Sequence, residues 1–241
     1  MVDATRQGAS VSQQPTAASI VTEERSDPNA ITEALEVLLD RAERAERCTA
    51  DDLVAALPVN VVEAAAVVHD LESRGAITVQ GGVLSLTDDG FDLAVTAVRR
   101  HRLTERLLID VIGLEWWKVH HEAERWDGVI SDDVEARLVD LLDDPGTCPH
   151  GNPIPGSRNR PDQSDAVRLD EAPSGPVVVV RITETLEADD EALQLLQGCG
   201  FVPGRHAEVK ERRDGWVEVA GSIRDAALPP HIASHTYVRV Q

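Results

Sequence analysis

Two short apolar runs around Gly81–Gly82 follow three helical patterns, and this order restricts the fold more than any other feature of the chain. The spacing of apolar residues and the capping signals predict helices over about 31–42, 49–57 and 61–74. Paired glycines between two runs of strand-forming residues predict a β-hairpin with a tight turn. Helix, helix, turn, helix and hairpin is the element order of a winged helix-turn-helix.

The rest of the chain divides into a helical part, a turn-rich segment and a β-rich part. Helical periodicity extends over 88–142 with a break at Gly113, and Pro, Gly, Asn and Ser dominate 145–165. Short strand-like runs with one helix follow and predict a small, partly open barrel. The fold class is therefore mainly α with small β. The predicted divisions are a disordered arm over 1–28, a winged helix-turn-helix over 29–98, a helical domain over 99–144, a linker over 145–175 and a barrel over 176–241.

The net charge of the chain weighs against DNA binding, which is the usual function of a winged helix. The formal net charge is -20, and DNA repels an acidic surface. Bound divalent cations would cancel part of this charge, and a concentrated salt solution would screen it. No apolar run approaches the ~18 residues needed to cross a bilayer, so we expect a cytoplasmic protein without a membrane partner. The three scattered cysteines predict free thiols.

Histidines and acids recur at helical spacing in the middle of the chain. His101 and Glu105 are four residues apart, as are His120 and Glu124, and Asp127 follows three residues later. Residues at this spacing share one helix face. Imidazole and carboxylate ligands together suit Mn²⁺ or Fe²⁺. The alternative is two solvated helix faces with incidental histidines.

Further acidic pairs lie outside this region, and no catalytic motif accompanies them. Glu33 and Glu36 lie on the first predicted helix, and Glu184 and Glu187 flank a predicted strand-to-helix turn. Each pair is uninformative alone, but together they are candidate ligands from separate regions. The chain has no Gly-rich phosphate loop or nucleophile elbow, and the Cys148 and His150 pair lacks an evident orienting acid. We therefore predict that the protein is not an enzyme.

Three motifs are distinctive: His101–Leu114 (HRLTERLLIDVIGL), Val119–Trp126 (VHHEAERW) and Cys148–Gly156 (CPHGNPIPG). They resemble the iron- and manganese-dependent repressors of the diphtheria toxin repressor family. The resemblance extends over roughly 31–241 and implies a winged helix, a helical metal-binding and dimerisation domain, and an SH3-like (FeoA-like) barrel. It also implies Mn²⁺ or Fe²⁺ as cofactor, a homodimer, and double-stranded DNA as partner.

The resemblance also implies which residues bind metal. Its ancillary site maps onto His101, Glu105, His120, Glu184 and Glu187, and its primary site maps onto Glu33, Glu36, Glu124 and Asp127. Gly128 stands where the family usually has a histidine ligand. Oxygen ligands replace the thioether and thiolate of the iron-type members at the primary site, which favours Mn²⁺ over Fe²⁺.

The predicted recognition helix has an unusual composition. Its first half is rich in Ala and Val, and Arg74 is its first cation. Its alanines and valines either contact thymine methyl groups or belong to the core. The candidate DNA contacts are Asn60, Glu63, Ala64, Arg99 and Arg100.

The sequence therefore predicts a metal-activated repressor that binds operator DNA of metal-homeostasis genes as a dimer. We expect residues 103–142 to supply the dimer interface. The candidates there are Leu107, Leu108, Val111 and Leu138. The alternative is a metal-binding regulator that has lost direct DNA reading and acts through protein partners. The apolar recognition helix and the net charge of -20 favour this alternative.

Overall fold

The computed structural model describes residues 26–43, 46–57 and 59–241. Of the predicted arm over 1–28, residues 1–25 lie outside the described residues. Within the described part of the chain, no helix is both long enough and apolar enough to cross a membrane.

The N-terminal elements follow the predicted winged-helix order. They are α1 (Pro28–Glu43), β1 (Cys48–Thr49), α2 (Ala50–Ala56), α3 (Val61–Ser73), β2 (Ile77–Gln80) and β3 (Val83–Leu86). The three strands form an antiparallel sheet in the order β1-β3-β2. Leu35, Leu53 and Leu71 from the three helices are almost fully buried in one core. The capping box at Thr49 and Asp52 is present and begins α2.

The middle of the chain is helical, as predicted, but less regular. Its elements are α4 (Asp88–Leu107), a π-helical turn (Leu108–Ile112), a 3₁₀ turn (Trp116–Lys118), α5 (Val119–Glu124) and α6 (Asp132–Leu141). Gly113 ends the π-helical turn in the left-handed conformation, at the predicted break. The helical pattern predicted after Gly113 therefore begins as a 3₁₀ turn, followed by the short α5.

A glycine near the start of α4 allows this helix to pack closely against the winged-helix unit. A Cβ at Gly90 would lie only 1.7 Å from the carbonyl oxygen of Ala76. Any side chain there would therefore separate α4 from the backbone that leads into β2. This close approach packs the first turn of α4 against the N-terminal core.

The first part of the predicted 145–175 linker, over 148–155, is packed against the protein, whereas 156–168 is exposed or half-buried. Cys148, His150, Asn152 and Ile154 are buried, and His150 has no exposed surface. The end of the segment forms β4 (Val167–Arg168), which pairs with the last strand of the chain. Its many Pro and Gly residues thus shape a tightly packed loop.

The C-terminal elements form a six-stranded antiparallel sheet in the order β4-β9-β5-β6-β7-β8. Its other strands are β5 (Gly175–Ile182), β6 (His206–Arg213), β7 (Trp216–Ala220), β8 (Asp225–Leu228) and β9 (Thr236–Val240). The helices are α7 (Glu184–Glu187), α8 (Asp190–Cys199) and α9 (Pro230–Ser234). Trp116 joins the apolar core of this region, so the helical part and the sheet share one core.

Two of the predicted interface residues belong to the interior of the protomer. Leu108 and Leu138 are only 2% and 5% exposed, because they pack into small clusters between the helices. Val111 and its neighbour Ile112 are instead 55% and 56% exposed. An apolar surface for a second protomer is therefore available at the π-helical turn.

Candidate functional site

Four parts of the fold bring metal-ligating side chains to one place. α4 presents His101 and Glu105, which are separated by one helical turn, and α5 presents His120. α7 presents Glu187, and the packed segment between α6 and β4 presents His150. All five side chains are buried, so the arrangement is an interior centre. This excludes the alternative of two solvated helix faces.

The first group of ligands lies between α4 and α5. His101 Nε2 is 3.2 Å from His120 Nδ1, and Glu105 Oε1 is 3.7 Å and 3.5 Å from the same two nitrogens. The ligand atoms of the three residues lie within 4.8 Å of one another. Helical spacing predicted this group, and the structure brings it together.

A second group adds residues that the sequence analysis did not include among the ligands. Glu105, Cys148, His150 and Glu187 place their ligand atoms within 4.8 Å of one another. His150 Nδ1 is 3.2 Å from Glu105 Oε1 and 2.8 Å from Glu187 Oε2. The sequence signal was the motif at 148–156, which we considered as a nucleophile but not as a source of metal ligands.

The polar atoms of this second group fit a bound cation better than they fit one another. Both carboxylate oxygens of Glu105, one of Glu187 and both ring nitrogens of His150 are buried without a hydrogen bond of good geometry among the described residues. Buried polar groups of this kind are normally satisfied, and leaving one unsatisfied costs about 1–3 kcal/mol. One divalent ion bound by Glu105, Glu187 and a single ring nitrogen of His150 would satisfy most of these atoms.

Glu184 contributes less than the resemblance implied. His120, Glu184 and Glu187 form a third group within 4.8 Å, but Arg102 Nε donates to Glu184 Oε1 at 2.9 Å. Only Glu184 Oε2 is buried and without a hydrogen bond. Burial and the nearby charge of Glu187 raise the pKa of Glu184 to about 7. One oxygen of this side chain thus holds Arg102, and the other faces the centre.

The acids of α1 approach the same centre from the winged-helix unit. Glu33 contacts Glu124, and burial together with this contact raises the pKa of Glu33 to about 8. Glu36 is only 2% exposed, and burial followed by the charge of Glu184 raises its pKa well above the usual value. Glu124 Oε1 lies 3.4 Å from His120 Nε2. α1 is therefore linked to the centre through carboxylates.

Asp127 and Gly128 occupy the turn that follows α5. Asp127 Oδ1 is 3.2 Å from His101 Nδ1, on the side of the ring opposite to His120. Gly128 has φ +74°, and a Cβ there would meet nothing within 4 Å. There is space for an imidazole at this position, but its left-handed backbone would strain any residue with a side chain. Among the described residues, Asp127 and the acids of α1 belong to none of the three groups whose ligand atoms lie within 4.8 Å of one another.

The charges in the centre stabilise one another. Burial disfavours a charged His101, but the charge of Glu36 and the contact with Asp127 raise the pKa of His101 well above its ordinary value. Burial likewise opposes charge on His150, and the charges of Glu187 and Glu105 raise its pKa. Burial also opposes charge on Glu105, yet His150 lowers the pKa of that carboxyl. A cation would therefore replace protons held between these groups.

Two further side chains hold the second group in position. Asn152 Nδ2 donates to Ile182 O at 2.7 Å and to Glu187 Oε1 at 2.6 Å. The Trp116 ring lies against the ring of His150 with centroids 4.8 Å apart, and its indole N–H donates to Pro149 O. Residues of this kind orient metal ligands and influence affinity.

The predicted DNA contacts divide into three groups. Asn60 and Glu63 are exposed at the start of α3, where they form a capping box. Ala64 is only 1% exposed, so its prediction as a DNA contact is wrong, because it lies on the inward helix face with Val67.

Arg99 and Arg100 are bound within the protein. Arg99 Nε donates to Glu135 Oε1 at 2.8 Å, and Arg100 Nε donates to Glu135 Oε2 at 2.9 Å. Arg100 also pairs with Asp132, and Arg99 donates to the carbonyl of Pro155. The two guanidinium groups therefore connect α4 to α6 and to the packed segment.

Comparison with known sequences identifies relatives of this chain. Residues 87–156 match the family model described as iron dependent repressor, metal binding and dimerisation domain. The iron-dependent repressor IdeR of Mycobacterium tuberculosis is 41% identical over 179 residues, which cover 70% of this chain and 78% of the relative. The diphtheria toxin repressor of Corynebacterium diphtheriae is 39% identical over 166 residues, covering 66% of this chain and 72% of the relative.

Solved structures agree with the fold over most of the chain. A manganese-dependent transcriptional repressor in complex with manganese has a TM-score of 0.74 at 28% identity, covering 88% of this chain and all of that one. The structure of T. acidophilum IdeR has a TM-score of 0.69 at 25% identity, with 90% and 98% of the two chains covered.

Proposed function

This chain belongs to the family of iron-dependent repressors, and from that premise we propose how its buried centre controls DNA binding. It is a metal-dependent transcriptional repressor and not an enzyme, and its cofactor is Fe²⁺ or Mn²⁺. Our proposal concerns the residues that hold the metal, the partner DNA and the genes controlled.

We assign the metal to the two groups of ligands that share Glu105. The observation that supports this assignment is the set of buried, unsatisfied oxygens and nitrogens on Glu105, His150 and Glu187. His101 and His120 complete the other side of the centre, and Cys148 adds a thiol. A bound divalent cation would supply positive charge among these acids and bring separate elements together. Carboxylates and imidazoles suit Mn²⁺ and Fe²⁺, and the thiol shifts the preference towards Fe²⁺.

The acids of α1 would transmit metal binding to the winged helix. Glu33 and Glu36 lie on α1 and reach the charged side chains of α4 and α5. When these groups share a cation, α1 is fixed relative to α4. Two winged helices of a dimer would then be set at the spacing of successive major grooves. We propose a homodimer that binds the operators of metal-homeostasis genes and whose interface includes Val111.

The experiment that tests this function is capture of fragments of the source genome by the full-length protein. Captured fragments are sequenced with Mn²⁺, with Fe²⁺ under anaerobic conditions, and with a chelator, each at several salt concentrations. We expect specific fragments to be enriched only with metal. Protein partners that co-purify in the absence of any enriched DNA would instead support the regulator that acts through proteins.

A further inference from the structure

We propose that α3 selects its DNA site through the methyl groups of thymine, using the exposed side chains Val61, Val62, Ala65 and Ala66. We call these four residues the methyl face. The inference rests on the proposed function, because it specifies the base contacts of the same DNA-binding helix. It concerns which base pairs the repressor prefers.

The methyl face is exposed and has no described role in folding. Val61 and Val62 are 65% and 78% exposed, and Val62 is the most exposed large apolar side chain in the described part of the chain. The opposite face of α3 packs into the N-terminal core through Val67 and Leu71. These four side chains are therefore not part of the core and are free to contact a partner.

The polar side chains at the start of α3 are occupied by the helix itself. Asn60 Oδ1 accepts from the backbone N–H groups of Val62 and Glu63 at 2.9 and 3.0 Å. Glu63 Oε2 accepts from the backbone N–H of Asn60 at 3.0 Å. These hydrogen bonds stabilise the first turn of the helix. The first two turns therefore offer mainly methyl groups to a partner.

Only one base presents a matching group in the major groove. Thymine carries a methyl group on its major-groove edge, whereas the other edges present hydrogen-bond donors and acceptors. A valine packed against a base donor or acceptor would leave that group without a hydrogen-bond partner, which lowers the binding free energy gained. A face of valines and alanines therefore favours thymine and disfavours G·C pairs.

The charge of the winged-helix unit limits what phosphate contacts can contribute to binding. Residues 26–98 contain four arginines, no lysine and fourteen acids. Between 59 and 87 the one cation is Arg74, and its Nε and guanidinium NH2 group donate to Asp70 at 2.8 and 2.6 Å. Phosphate neutralisation can thus contribute little, and affinity should depend weakly on salt. Apolar contacts keep their strength in concentrated salt, where phosphate repulsion is screened within about 3 Å at 1 M.

The test begins with selection of duplexes from a random pool by the full-length, Mn²⁺-loaded protein at several salt concentrations. Each dT of the best duplex is then replaced in turn by dU, which removes one methyl group and keeps every hydrogen bond. We expect dT-rich half-sites, with about a fourfold loss of affinity at each contacted position. Equal affinity for dT and dU duplexes would overturn the methyl proposal and leave metal-dependent DNA binding intact.

Variants connect the effect to particular side chains. In Val62→Ser the affinity for the dT duplex should fall about fourfold. At one position, replacing dT by dU should then cause no further loss of affinity. Ile223→Ser is the matched control, since Ile223 is 70% exposed in the C-terminal region. This variant should change neither the affinity for the dT duplex nor the loss of affinity on replacing dT by dU. A dU penalty that is identical in Val62→Ser and in the wild type would assign the contact elsewhere and contradict the role of Val62. Failure of the wild type to bind any duplex with metal would contradict the proposed function itself.

Discussion

At the scale of single residues, His150 shows what a local pattern cannot predict. It lies in a Pro- and Gly-rich stretch without periodicity, so no rule of spacing assigns it to a helix face or a strand face. Its burial comes from tertiary packing against Trp116 and from its carbonyl, which accepts from Ile182 N at 2.9 Å. The pair His101 and Glu105 could be predicted, because helical spacing alone places both on one face, and the family resemblance added His120 to the same site.

The buried imidazole of His150 provides the first prediction. His150→Ala should weaken Mn²⁺ binding by more than ~10-fold, because loss of even a supporting residue typically costs 10–100-fold. Titration calorimetry of the full-length protein measures this change. His121→Ala is the control, since its side chain is 40% exposed and contacts Glu124 at the edge of the centre. Equal losses in the two variants would contradict the assignment of His150 as a ligand.

Protonation of the same centre gives a second prediction. We expect metal binding to favour Glu33 and Glu184 as carboxylates, because both lie close to the proposed cation, and their pKa values are about 8 and about 7. The histidines, whose pKa values are raised, must lose protons as well. Affinity for Mn²⁺ should therefore rise with pH from 6 to above about 8 and fall on acidification.

Calorimetry in buffers of different ionisation enthalpy would measure the protons released on metal binding. Release should exceed one proton per protomer near pH 7, and Glu33→Gln should reduce it. Affinity that is constant across this range, with no proton release, would show that the acids and imidazoles of the centre do not bind the metal.

At the scale of elements, the long helices and the hairpin followed from the sequence, whereas several short elements did not. Caps and periodicity marked α2, α3 and α4, and paired glycines marked the turn between β2 and β3. The missed elements are β1, β4, β8, α7 and α9. Each has five residues or fewer, too few for a period to emerge, and tertiary contacts fix their conformation.

The cap of α3 yields a prediction at this scale. Asn60→Ala removes the acceptor of two backbone N–H groups and should lower the free energy of unfolding by about 1 kcal/mol. Asn60→Ser keeps a capping oxygen and should restore most of the loss. Urea unfolding of both variants measures the effect, and equal stability of Asn60→Ala and the wild type would contradict the capping role.

At the scale of the whole molecule, hydrogen bonds and ion pairs connect the proposed metal centre to the winged-helix unit through the C-terminal region. Asn152 binds Glu187 and accepts from Arg181 at 3.3 Å, and Arg181 lies 3.9 Å from Asp40 of α1. Arg160 pairs with Glu43 of the same helix at 3.0 Å. These contacts join residues far apart in the sequence, so no local pattern predicts them.

The exposed apolar side chains at the π-helical turn give a prediction about assembly. Ile112→Lys should convert the proposed dimer to monomers at micromolar concentration, because a buried charge without a partner opposes association. Sedimentation analysis gives the mass. Ile223→Lys is the control, since it places the same charge at an exposed isoleucine of the C-terminal region. A dimer that persists in Ile112→Lys would place the interface elsewhere.

The unsatisfied oxygens of Glu105 and Glu187 also have a consequence for the lifetime of the protein. A ligand present at 100 times its Kd adds about 2.7 kcal/mol to the native state, so metal supply controls how often the fold opens. Proteases cut opened chains, and the loop with His150 is a direct target once its partners separate. Cellular abundance of the sensor should then follow metal availability, which makes degradation a second output. Digestion of the chelator-treated protein, slowed stepwise by added Mn²⁺, would reveal this dependence.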